Sequence, residues 1–93
     1  MQVKKQGRRM VCFEYHDAVG KSVAVTGSFS DWRPKAMKDQ NGDGIYRCRL
    51  LLVPGVYQYK FVADGQWRTD SLNPDFVPNE YGSLNSVLTV EKR

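Results

Sequence analysis

This chain is short of the residues that most catalytic and metal chemistry needs. Its 93 residues include one histidine, His16, and two cysteines, Cys12 and Cys48. A structural zinc site draws about four ligands with close Cys or His pairs. Neither a CxxC nor a paired histidine is present, so no metal centre is expected. Nucleophilic catalysis needs a Ser, Cys or Thr beside a base, and no Ser-containing elbow flanks His16. The carboxylates fall in turn-forming stretches, where Asp is expected for its backbone hydrogen bonding. No Gly-rich loop leads into a helical segment. The sequence therefore reads as a non-enzyme with no cofactor and no catalytic residue.

Long apolar runs are also absent, so no membrane span is expected. The opening stretch MQVKKQGRRM has no apolar core of the kind a secretory signal carries. The cytoplasm is the compartment this implies, and there a Cys12–Cys48 disulfide is not expected. Cys48 alternates with Tyr46, Leu50 and Leu52 and reads as a small core hydrophobe. The formal net charge is +4. Setting aside Lys4, Lys5, Arg8 and Arg9 leaves ten basic residues against ten acidic ones. A neutral body neutralises few phosphates, which argues against nucleic acid as a partner. The expected organisation is a basic flexible lead-in over 1–10 and one small domain over 11–93, monomeric in solution.

What is present is strand pattern. No window shows apolar residues at helical spacing, while short alternating runs recur between Gly and Pro turns, which predicts an all-β sandwich. The stretch Val53–Asp70, VPGVYQYKFVADGQWRTD, organises the rest. Tyr57, Tyr59, Phe61 and Ala63 alternate with Gln58, Lys60 and Val62, so the first set faces a core and the second faces outward. Asp64-Gly65 is a strong two-residue hairpin signal, and it returns Trp67 past Lys60. Further strands are expected at Val11–Tyr15, Lys21–Gly27, Ile45–Val53 and Ser83–Glu91, with a short one near Ala36–Lys38. A bulge near Asn85-Ser86 would explain the broken alternation of Leu84, Val87, Leu88 and Val90. Residues 28–34 and 69–79 read as loops.

The segment Asp39–Leu50 begins like a calcium-binding loop but carries Leu50 where a bidentate Glu is required. Its Asn-Gly and Asp-Gly pairs favour a hairpin turn instead.

Trp32 follows turn-forming residues and precedes Arg33-Pro34, so it is expected at the surface, as is Trp67. Exposed rings suit the C–H face of a sugar, with Lys60, Ser83 and Asn85 as donors and acceptors at the rim. The competing reading makes both tryptophans half-buried corners of the sandwich. The residues alone leave these two open.

Three blocks then become informative together: GSFSDW at 27–32, VPGVYQYKFVADGQW at 53–67 and NPDFVPNEYGSLNSVLTV at 73–90. In this order they resemble carbohydrate-binding module family 48. That family includes the glycogen-binding domain of the AMP-activated protein kinase β subunit and the N-terminal domains of isoamylases and glycogen branching enzymes. The resemblance covers residues 10–91 and implies an early-set, immunoglobulin-like β-sandwich that binds glycogen, starch or maltooligosaccharides without catalysis. It implies that Trp32 and Trp67 stack on glucose rings and that Lys60, Ser83 and Asn85 bond hydroxyls. Tyr81 stands before Gly82, where the animal kinase domain is aliphatic, and offers a further ring to a sugar. Many enzyme-attached members act structurally. The alternative is thus a protein-interaction module docking on a kinase or a glycogen-metabolism enzyme, with no sugar binding of its own.

Overall fold

A computed structural model describes residues 7–92. Lys4 and Lys5 of the expected lead-in lie outside the described residues. The strands are β1 (Arg9–His16), β2 (Val23–Gly27), β3 (Lys35–Met37), β4 (Ile45–Leu52), β5 (Gly55–Ala63), β6 (Gln66–Arg68), β7 (Phe76–Pro78) and β8 (Leu84–Val90). One 3-10 turn, Ser28–Ser30, follows β2. All pairings are antiparallel. β1 and β4 form a two-stranded sheet, and a larger sheet runs β3-β2-β5-β8-β7 with β6 paired to β5. The protein is an all-β sandwich of the expected early-set, immunoglobulin-like kind. Among the described residues no helix is long and apolar enough to cross a membrane.

β5 lies at the centre of the larger sheet because its inward residues are apolar on a strict period of two. Tyr59, Phe61 and Ala63 are buried, with Val23 and Val25 beside them on β2 and Phe13 and Tyr46 of the smaller sheet in the same core cluster. The core is rich in rings. Phe13 meets Tyr59 edge-on at 5.2 Å, and Tyr15 meets Phe61 at 5.1 Å. Each such contact contributes about 0.5–1.5 kcal/mol beyond the area it buries. Val11, Leu50, Phe29 and Tyr57 pack around this cluster. The Tyr46 hydroxyl donates to the Ala18 carbonyl (2.6 Å) and accepts from the Lys21 amide (2.9 Å), pinning the β1–β2 connection to the core.

The Asp64-Gly65 hairpin forms as its residues require. Ala63 pairs with Gln66, and both turn residues take positive φ, 48° and 79°. This is the two-residue turn whose twist matches the flanking strands.

Four expectations need correction. β1 begins at Arg9, inside the expected lead-in, because Arg9 and Met10 pair with Leu52 and Leu51. The 39–44 turn does not close a simple hairpin. β3 pairs with β2 in one sheet and β4 with β1 in the other, and only the Lys38–Arg47 bridge joins the two sides. In that turn Asp39 accepts from the Asp43 and Gly44 amides (3.1 and 2.8 Å), so its carboxylate is spent on its own loop. Desolvation pushes the Asp39 carboxyl up, and these bonds together outweigh it and leave the carboxyl below its ordinary range. β8 shows no bulge. Its register is continuous against β5 from Ser86 to Val90 and against β7 from Leu84 to Ser86. The alternation breaks because Val87 sits on the outward face with Gln58 while Leu84 is at an exposed strand end. Finally, Phe76–Pro78 adds an edge strand within the expected 69–79 loop, placed where Pro costs no ladder bond.

Candidate functional site

The outward face of β5 carries Gln58, Lys60 and Val62. Trp67 stands directly across from Val62 on β6. Trp32 comes from the other side, off the end of β2. Its amide donates to the Gly27 carbonyl (2.8 Å), and Gly27 pairs with Tyr59 on β5. Gly27 lets the chains come this close: a Cβ there would lie 2.6 Å from the Gln58 carbonyl oxygen. Asp31 and Trp32 both adopt left-handed backbone, φ 52° and 59°. Non-glycine residues pay about 1–2 kcal/mol each for this. The turn is held from within, where Ser30 Oγ donates to the Arg33 carbonyl (2.8 Å) and the Arg33 amide donates to the Ser30 carbonyl (3.0 Å). The outcome is an indole turned outward rather than tucked into the core. Trp32 is 39% and Trp67 57% exposed.

The third side comes from the turn between β7 and β8. Tyr81 crowns it at 85% exposure. Asn79 builds this turn: its Oδ1 accepts from the amides of Tyr81 (2.9 Å) and Ser83 (3.0 Å), and its own amide donates to the Ser83 carbonyl (2.9 Å). A groove of about 890 Å³ opens between these walls, and all six residues expected from the sequence line it: Trp32, Lys60, Trp67, Tyr81, Ser83 and Asn85. Gln58, Pro78, Asn79 and Glu80 complete the lining. Gln58 was legible as an outward β5 residue next to Lys60. Asn79 carries only an Asn-turn signal, which does not point to a site.

Lys60 differs from its expectation. It faces outward but is not a surface group, since it is 6% exposed at the groove floor. Its ammonium donates to Ser83 Oγ (2.8 Å) and to the Leu84 carbonyl (3.0 Å). A buried charge persists only with such partners, and two of its three donors are thereby used. Asn85, 8% exposed, donates from Nδ2 to Gln58 Oε1 (3.0 Å) and accepts at Oδ1 from Asn79 Nδ2 (3.0 Å). Below the groove the Tyr59 hydroxyl donates to Asp70 (2.6 Å) and Asn73 donates to Tyr59 (3.1 Å) and to the Val87 carbonyl (2.9 Å). Burial, followed by the bond to Asp70, pushes the Tyr59 phenol well above its ordinary range. This polar knot staples the loop that leaves Trp67 onto β5 and β8.

The site is thus three exposed rings around a floor of held polar groups. Such a surface takes a ligand with flat apolar faces and many hydroxyls. His16 and the free thiols of Cys12 and Cys48 are not part of it; His16 pairs with Glu14 (3.0 Å).

The sequence pattern of the glycogen recognition site of AMP-activated protein kinase matches residues 10–93. The chain belongs to that glycogen-recognition family. Rice Protein FLOURY ENDOSPERM 6, chloroplastic, is 41% identical over 68 residues (73% of this chain, 12% of that protein). Arabidopsis Protein PTST homolog 2, chloroplastic, is 40% identical over 68 residues (73% and 12%). The human 5'-AMP-activated protein kinase subunit beta-1 is 34% identical over 73 residues (78% and 26%). The chain thus spans about an eighth of the plant relatives and about a quarter of the human one.

Proposed function

We propose that this domain binds α-glucan chains of glycogen, starch or maltooligosaccharides in the groove and does no chemistry on them. The observation that carries this is the convergence, on one face of a glycogen-recognition-family domain, of Trp32, Trp67 and Tyr81 with Lys60, Ser83 and Asn85. The tryptophans stack on glucose rings, with Tyr81 as a third ring, and the polar groups bond hydroxyls. Aromatic stacking on a flat ring contributes about 1–3 kcal/mol for nucleobases, and a similar or smaller amount is expected for sugar. A shallow groove recovers little after association costs, so the affinity should be about micromolar to millimolar. The lining has one carboxylate, Glu80, where glycoside hydrolysis uses two. That supports a non-catalytic binding module, which we take to be monomeric and to work in the cytoplasm or, as the names of the plant relatives suggest, in a chloroplast. Titration with maltoheptaose or β-cyclodextrin, followed by tryptophan fluorescence, tests the reading. A saturable change at submillimolar to millimolar ligand supports it, and a flat response overturns it.

A second reading is compatible with the first. The outward side of the β1–β4 sheet, away from the groove, exposes the cross-strand pair Met10 (60%) and Leu51 (54%) beside Arg49. This face favours docking on a kinase or a glycogen-metabolism enzyme, in keeping with the kinase named in the family description.

A further inference from the structure

The hydrogen bonds across the groove floor run in one direction, and one residue outside the expected site sets that direction. Backbone N–H groups can only donate. The amides of Tyr81 and Ser83 both point at one end of the Asn79 side chain, at 2.9 and 3.0 Å, so that end must be the carbonyl oxygen. The other end is therefore the NH2, and it donates to Asn85 at 3.0 Å. Asn85 must meet it with Oδ1, which turns the Asn85 NH2 toward Gln58. Gln58 must meet that with Oε1, which leaves its own NH2 unspent on an exposed residue of the groove wall. The same logic holds at the neighbouring group. An ammonium only donates, so Ser83 Oγ accepts from Lys60 and its own hydrogen is free for another partner.

We infer that Asn79 is a positioning residue that fixes the hydrogen-bond polarity of Asn85 and Gln58 on the groove floor, so that both present donors to the ligand beside those of Ser83 and Lys60. The ligand chemistry this selects is a row of acceptor oxygens: hydroxyls used as acceptors, ring oxygens and glycosidic oxygens. Asn79 need not touch the sugar. It acts through Asn85 and Gln58, and Gln58 becomes a direct ligand contact beside the six residues already named. This rests on the α-glucan reading of the groove.

The test uses Asn79→Asp, which keeps the size and both backbone acceptances but replaces the donor by an acceptor. At about pH 7 the new carboxylate faces the Asn85 oxygen. Asn85 must flip, Gln58 must flip after it, and the groove receives an oxygen where it had an NH2. Maltoheptaose should then bind at least about tenfold more weakly than to wild type. A second substitution separates the relay from a merely structural loss. Gln58→Ala should weaken binding by at least about fivefold in the wild-type background and by less than about twofold in Asn79→Asp, where the groove end of Gln58 no longer donates. Equal affinities of wild type and Asn79→Asp at about pH 7, or the same Gln58→Ala penalty in both backgrounds, would overturn the inference, since a purely structural loss leaves the two substitutions additive.

A second measurement needs no variant and no sugar. In ligand-free wild type, NMR of the side-chain amides should show one hydrogen-bonded proton each on Asn79 Nδ2 and Asn85 Nδ2, and none on Gln58 Nε2. The reverse order along the relay would overturn the inference even if Asn79→Asp did not fold. Wild type that fails to bind maltoheptaose would remove the α-glucan reading and leave the relay itself to be decided by the amide spectra.

Discussion

Ten of the eleven aromatic residues fall into two populations that treat solvent in opposite ways, and Phe76 on the edge strand β7 belongs to neither. Phe13, Tyr15, Phe29, Tyr46, Tyr57, Tyr59 and Phe61 contact one another in a connected set of ring pairs inside the sandwich. Trp32, Trp67 and Tyr81 join none of the ring pairs found among the described residues and stand around the groove instead. The β5 rings of the inner population and the groove rings lie on opposite faces of the larger sheet, and Phe13, Tyr15 and Tyr46 meet the inner rings from the β1–β4 sheet. Burying a large ring stabilises a fold by about 1.5–3 kcal/mol. The groove rings forgo that gain, and Trp32 is held out by strained backbone besides. Rings kept out of the core at such a cost are best explained by what they do for a ligand.

The comparison breaks first if the inner population can be trimmed without harm. Phe61 is fully buried and touches Tyr15 and Tyr59. Phe61→Ala should cost about 3–5 kcal/mol, a large share of the roughly 5–15 kcal/mol a domain has. Thermal denaturation should show the domain unfolded or nearly so at 37 °C. A shift of only a few degrees would mean that the two faces of β5 differ less than their burial implies. On the outer face the effect should move from stability to binding. Trp67→Ala should weaken maltoheptaose binding by about 1–3 kcal/mol, roughly five- to 150-fold, with the melting temperature within a few degrees of wild type. Trp32→Ala should match it in binding. If either substitution unfolds the domain, the rings are corners of the core and the platform reading fails for that ring.

How much of this was legible beforehand follows the same division. The inward register of β5 and the Asp64-Gly65 hairpin could be read because side-chain alternation and turn chemistry are local. The placement of Trp32 outward was legible for a similar reason, since Ser30-Asp31 and Pro34 bracket it. Sheet membership was not. The 39–44 turn carries strong hairpin signals, yet its two flanking strands join different sheets, and that choice is made by the partners β1 and β2, far away in sequence. The burial of Lys60 was equally hidden. Period two gives the face of a strand, but whether that face is wet depends on the β7–β8 turn folding over it. Asn79, which shapes that turn, looks in sequence like any other loop asparagine.

A subtler way to separate the two populations uses alkali. Tyr59 belongs to the inner set, and burial and its bond to Asp70 raise its phenol well above the ordinary value. A raised folded-state value means that the native state holds the proton after the unfolded chain has lost it. The stabilisation is fully present below the unfolded value of about 10 and declines as pH rises beyond it. Melting temperature should therefore fall as pH climbs above about 10, and Tyr59→Phe should flatten this part of the curve while starting from a lower plateau. An equally steep alkaline loss in Tyr59→Phe would assign the effect to other groups.

The smallest expected effect lies between the two faces. Thr26 pairs with Lys60 across β2 and β5, so its side chain points to the groove side of the sheet. It is nevertheless 0% exposed, and its hydroxyl has no hydrogen-bond partner among the described residues. A buried hydroxyl without a partner keeps its desolvation cost of about 1–3 kcal/mol. Val has the same shape without the hydroxyl and is at home in a strand. Thr26→Val should leave the melting temperature unchanged or raise it by up to a few degrees, the equivalent of about 0–1 kcal/mol. Because Thr26 does not line the groove, maltoheptaose affinity should stay within about twofold of wild type. A fall of several degrees would show that the hydroxyl is satisfied in the folded protein. A loss of affinity with an unchanged melting temperature would extend the binding face one layer deeper, beneath Lys60, and blur the division between core and groove that the rings draw.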